Sequence, residues 1–141
     1  MTATTFIHTS DFQLGMTRWF LKGEAQGRFN DDRESAIMHL GQLAEEVGAQ
    51  FIVVAGDVFE HNALSREILA RATEMFKRLP VPVYVLPGNH DPLVADSVFY
   101  RTSADNVHVI ADSEPIEVGK GVELVGAPYL SKRCLLYTSD A

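Results

Sequence analysis

Val83-Tyr84-Val85-Leu86-Pro87-Gly88-Asn89-His90-Asp91-Pro92 is the stretch on which the reading of this chain turns. A β-branched and aromatic run closed by Pro-Gly reads as a buried strand that stops abruptly in a loop. The loop then presents a carboxamide, an imidazole and a carboxylate in consecutive positions, more polar chemistry than a turn requires. Asn and Asp also serve ordinary turns, because their side chains bond to nearby backbone. Taken alone, the stretch fits a tight Pro-Gly-Asn turn equally well.

Two other stretches repeat the arrangement. Phe51-Ile52-Val53-Val54-Ala55 is a continuous apolar run, as expected for a strand covered on both faces of a parallel sheet, and it ends in Gly56-Asp57-Val58-Phe59-Glu60-His61. Phe6-Ile7-His8-Thr9 runs into Ser10-Asp11-Phe12-Gln13-Leu14-Gly15. Helical patterns separate the runs. Asp31-Asp32-Arg33-Glu34 has capping-box spacing with Asp31 as N-cap, Ile37, Leu40, Ala44 and Val47 recur at helical spacing, and Gly48 stops the helix. Residues 16–30, with Trp19, Phe20, Phe29, Gly23 and Gly27, have no clean period and read as a long loop with aromatic anchors and room for a helical turn. A second helix starts near Ser65, with Leu64 and Leu69 placed as a hydrophobic staple. Its buried stripe is Ile68, Leu69, Ala72, Phe76 and Leu79, and Pro80 closes it.

Beyond the opening stretch, residues 107–110 form one more strand. Residues 115–118 and 122–125 flank Gly119-Lys120-Gly121 as a hairpin with a three-residue loop. The alternation of strand and helix predicts an α/β fold: a parallel-sheet core with flanking helices and right-handed crossovers.

In such a sheet the carboxyl ends of neighbouring strands lie side by side, and ligands bind there. Asp11, Asp57 and Asn89 would therefore meet on one rim. Hard oxygen donors grouped in this way suit manganese, magnesium or another divalent ion. A central carboxylate such as Asp57 can bridge two ions about 3.5–4 Å apart, the spacing used for in-line attack on phosphorus. The bland alternative needs three separate turn or cap residues to coincide. Of the other histidines, His8 reads as a packed, hydrogen-bonded side chain on a strand face. His39 is expected in solvent or at a helix contact, and His108 on the less buried face of its strand.

The chain has 141 residues, enough for one domain with a proper core, expected over residues 1–130. Its net charge of −7 argues against a basic nucleic-acid clamp, since phosphate contacts need Lys and Arg. It leaves a phosphate substrate open, because metallated carboxylates present positive charge. Cys134 is the only cysteine, so no intrachain disulfide can form and a reducing cytoplasm is expected. The start lacks the pattern of a signal peptide, and no apolar run reaches the length of a membrane span. Residues 131–141 have no closing signal and are expected to be a non-native tail.

Ser10-Asp11-Phe12-Gln13-Leu14-Gly15, Gly56-Asp57-Val58-Phe59 and Gly88-Asn89-His90-Asp91 resemble the first three motifs of the calcineurin-like metallophosphoesterases. With Gly126-Ala127-Pro128-Tyr129, they are most similar to the branch of DNA double-strand-break repair exonucleases, the SbcD-like nuclease subunits. The resemblance covers residues 5–133. It implies the N-terminal part of a two-sheet αββα sandwich, incomplete at its C-terminus. It also implies two divalent metal ions, manganese foremost, with Asp11 and Gln13 at the first, Asp57 bridging and Asn89 at the second. His90 would face the scissile phosphate and Asp91 would position its ring. The implied substrate is DNA; the implied partners are an SbcC-type coiled-coil ATPase and a second copy of the chain.

Two features depart from the family pattern. Gln13 stands where the family usually has histidine. After residue 91 the only histidine is His108, and no Gly-His-x-His follows. The centre is thus incomplete in this stretch, and these 141 residues alone are expected to hydrolyse DNA near background. Two rival readings are a phosphoesterase for small substrates and a non-catalytic scaffold with a degraded site.

Overall fold

The computed structural model describes residues 3–131. The expected tail lies outside the described residues except for Ser131, and so does Cys134. The three apolar runs form β1 (Phe6–Thr9), β2 (Phe51–Ala55) and β3 (Val83–Leu86), and β4 (Val107–Val109) follows. They make one sheet in the order β1-β2-β3-β4, parallel throughout.

Strand alternation divides the apolar side chains between two faces. Ile7, Ile52, Val54, Val83 and Val85 join Ile37, Ala44, Leu69, Ala72 and Phe76 of the helices in the larger core. On the other face, Phe51, Val53, Tyr84 and Ile110 pack with Ile116, Val118 and Leu124 of an antiparallel hairpin. That hairpin is β5 (Ile116–Gly119) and β6 (Val122–Leu124). Its loop is Lys120-Gly121, two residues rather than the expected three. The register shifts between Glu117 and Gly119, which draws Gly119 into the strand.

The first helix departs from expectation. α1 spans Glu24–Val47, so Asp31 is not its N-cap and residues 24–30, the second half of the expected loop, are helical. The early turns are anchored by Gln26, whose side chain accepts from Arg18 N at 3.0 Å and donates to Met16 O at 3.3 Å. Asp31 and Glu34 instead pair with Arg71 of the second helix, α2 (Arg66–Lys77), each at 2.7 Å. Gly48 ends α1 in the left-handed conformation, as expected. The buried stripe is Ile37, Gly41 and Ala44, whereas Val47 is exposed.

α2 (Arg66–Lys77) follows its sequence closely. Ser65 caps it by accepting from Ile68 N, and Leu64 and Leu69 are both buried. His8 is exposed rather than packed: β1 is an edge strand, and His8 shares the incompletely covered face with Phe6. His39 and His108 are exposed, the latter stacked on Tyr84 at 5.1 Å.

Candidate active site

The loops after β1, β2 and β3 leave the same edge of the sheet and are stitched together by backbone. Asp11 N donates to Gly56 O at 3.0 Å, Gln13 N to Asp57 O at 2.9 Å, and Leu14 N to Val58 O at 2.9 Å. The ladder between β1 and β2 thus resumes beyond the loops, where Leu14 and Phe59 form a parallel bridge. Phe12, Leu14, Val58 and Phe59 are buried and hold these loops on the core.

Asp11, Gln13 and Asp57 have φ values of 58°, 47° and 52°, and they are the described non-glycine residues with positive φ. Side chains adopt that conformation rarely, and it costs on the order of 1–3 kcal/mol where the surroundings impose it. Asp11 and Asp57 are the carboxylates expected at a metal centre from the strand ends, and Gln13 is the residue that the family resemblance adds to them.

Arg33 of α1 holds the first loop. Its Nη1 donates to Phe12 O and to Gln13 O, both at 2.8 Å, and the guanidinium carbon lies 4.7 Å from the centre of the Phe29 ring. Burial and the nearby charge of Arg18 lower its pKa, while Glu60 opposes them. Sequence reasoning missed Arg33, which looked like part of a capping box.

Asp57 sits between the other two loops. Its Oδ1 accepts from the backbone amide of His90 at 3.0 Å. A Cβ on residue 88 would collide with the carboxylate and backbone nitrogen of Asp57, which explains the glycine in Gly88-Asn89-His90. The stretch 87–93 is bracketed from below: Tyr129 N donates to Pro87 O at 2.9 Å and Leu93 N to Tyr129 O at 2.8 Å. Asn89 itself is exposed at the rim.

Asp91 does not position the His90 ring. It is fully buried, and its two oxygens accept from Gly88 N at 2.8 Å and Phe59 N at 2.9 Å. The carboxylate is a brace between the β2 and β3 loops. Burial pushes its pKa up and the charge of Asp57 adds to this, against the pull of the backbone donors. The ring of His90 is held instead by Glu60, whose backbone carbonyl lies 3.0 Å from Nδ1. A carbonyl only accepts, so Nδ1 carries a proton and Nε2 is the nitrogen outside this bond.

Glu60 is the second residue that sequence reasoning missed. Its Oε1 lies 3.8 Å from His90 Nδ1, and its Oε2 is buried without a hydrogen-bond partner among the described residues. The only sequence signal was its place three residues after Asp57.

The carboxylates of Asp11 and Asp57 and the carboxamides of Gln13 and Asn89 are hard donors of the kind that divalent ions take. Among the described residues, no three His, Cys, Asp or Glu side chains group closely enough to hold an ion. By their chemistry alone these four donors suit part of a divalent centre, and Glu60, beside His90, carries a further anionic oxygen without a hydrogen-bond partner among the described residues.

The profile of the calcineurin-like phosphoesterases matches residues 4–131. The DNA double-strand break repair protein Mre11 of Archaeoglobus fulgidus is 31% identical over 68% of this chain and 21% of its own length. The uncharacterized metallophosphoesterase YhaO of Bacillus subtilis is 28% identical over 83% of this chain and 30% of its own. The D component of the SbcCD nuclease of Staphylococcus epidermidis is 24% identical over 87% and 33%. The chain thus spans between a fifth and a third of the length of these relatives.

Proposed function

The chain belongs to the calcineurin-like phosphoesterase family, and within it we propose a nuclease subunit that hydrolyses phosphodiester bonds of DNA with two divalent ions, manganese foremost. The observation that carries this reading is the placement of Asp57. It is stitched on one side to the loop of Asp11 and Gln13 and on the other to the amide of His90.

Asp11, Asp57, Asn89 and Gln13 would hold the ions, whose chemistry is to neutralise the phosphate and activate the attacking water. The rest falls to the chain's own groups. The Glu60 carbonyl holds the ring of His90 through Nδ1, which leaves Nε2 for the phosphate. From there the imidazolium can give its proton to the leaving oxygen, or donate a hydrogen bond to the phosphate as charge builds. Arg33 keeps the first loop in its strained shape, and Asp91 keeps the second and third loops together.

DNA as substrate is supported by the relatives named for DNA break repair and for the SbcCD nuclease. By the resemblance of its motifs to the SbcD-like nuclease subunits, the full protein would act as a homodimer with an SbcC-type coiled-coil ATPase in the cytoplasm. No described helix is long and apolar enough to cross a membrane.

The test is hydrolysis of linear double-stranded DNA against bis-p-nitrophenyl phosphate by the full-length protein with manganese. Nuclease activity that His90→Ala abolishes while manganese binding persists supports the reading. Turnover of the small diester alone makes it a small-substrate phosphoesterase. Turnover of neither, with folding intact, makes it a scaffold.

A further inference from the structure

Trp19 is 90% exposed and Phe20 60%, their rings set edge to face at 5.8 Å. They stand at the tip of a turn closed by a 2.9 Å bond from Leu21 N to Arg18 O. The turn is built to stay in place. Gln26 holds Arg18 N and Met16 O, and its amide also donates to Asn30 at 2.9 Å. Met16 N in turn donates to Gln13 O at 3.1 Å, so the aromatic tip is tied to the loop bearing Asp11 and Gln13.

The charge of the segment itself runs against that of the chain. Within residues 16–30, the exposed Arg18, Lys22 and Arg28 are set against a single acid, Glu24, in a protein of net charge −7. Exposed aromatic rings in a segment rich in cations match a strand that offers both bare base faces and phosphates. A paired duplex hides its base faces inside the stack, and a protein surface would not call for the cations.

We propose that the Trp19-Phe20 turn is a stacking platform for unpaired nucleotides beside the scissile phosphodiester. This inference rests on the nuclease reading for its location and is tested apart from it. Trp19 is the only tryptophan, so its fluorescence reports directly on stacking. The full chain is titrated with oligothymidylate in EDTA, where no hydrolysis is possible.

The expected result is saturable quenching, weaker with a blunt duplex of equal length and absent with heparin, which has charge but no bases. Measured by the anisotropy of a dye-labelled oligothymidylate, because both variants lose the tryptophan, Trp19→Ala should weaken binding about tenfold and Trp19→Phe should retain most of it. No quenching, equal quenching by heparin, or a Trp19→Ala variant that changes only self-association would overturn the platform. Hydrolysis of linear double-stranded DNA by the full-length protein, followed in parallel with manganese, reports on the nuclease reading separately. Quenching without turnover sinks that reading alone, and turnover without quenching sinks the platform alone.

Discussion

The backbone amide of His90 donates to Asp57 Oδ1 at 3.0 Å, so the carboxylate at the middle of the rim also sets where the histidine begins. Asp57→Asn keeps an oxygen for that bond but removes the charge that two ions would share. It should weaken manganese binding by more than about tenfold, and by more than Gln13→Ala does, since Gln13 offers one neutral oxygen. Calorimetry on the two variants gives the order. The reverse order would remove Asp57 from the bridging role.

Asp91 should behave as a brace. Asp91→Ala leaves the buried amides of Phe59 and Gly88 without acceptors and should cost about 2–5 kcal/mol in denaturant unfolding. The pH dependence has a definite sign. Its folded pKa is raised above the ordinary 3.8, so the folded state holds the proton more tightly than the unfolded state. The stability that this contributes is fully present below 3.8 and is lost as pH rises through the folded value. Relative to Asp91→Asn, the unmodified protein should therefore lose stability across that window with rising pH. An unmodified protein that gains stability relative to Asp91→Asn as pH rises would contradict the raised value.

Arg33→Met removes both carbonyl bonds to the first loop, and Arg33→Lys can restore at most part of that fork. Loss of the bonds should cost about 1.5–3 kcal/mol in stability, with lysine intermediate. Manganese affinity should fall in parallel, because Asp11 and Gln13 hold their strained φ only while the loop is clamped. Unchanged affinity in Arg33→Met would show that the loop shapes itself.

The edge of the sheet was legible from sequence because it depends on local signals: apolar runs that stop at Asp11, Asp57 and Asn89, and a glycine that only fits beside Asp57. The caps at Ser65 and Gly48 were legible for the same reason. What could not be read was tertiary. α1 begins early because Gln26 bonds to a loop eight and ten residues away, and Asp31 looked like a cap because its partner Arg71 lies on another helix. His8 depended on what covers the second face. The partners of His90 and Asp91 were exchanged, because adjacency in sequence says nothing about which loop each side chain faces.

Gln13→His separates a tuned ligand from a degraded one. Imidazole is the better ligand for manganese or zinc, so the substitution should tighten the first ion. Gln13 has φ of 47°, which histidine tolerates at least as well, so folding should be preserved. Lower affinity together with lower turnover would mean that Gln13 is fitted to its place, and the scaffold reading would lose its support.

The central claim is that Asp11, Asp57 and Asn89 share one divalent centre with His90 beside it. Anomalous diffraction from crystals of the full-length protein grown with manganese tests it most directly. The account predicts anomalous density in contact with the Asp57 carboxylate, flanked by Asp11 on one side and Asn89 on the other, with the His90 ring outside the coordination shell. Manganese bound elsewhere at saturating concentration, with Asp57 free of metal, would contradict it.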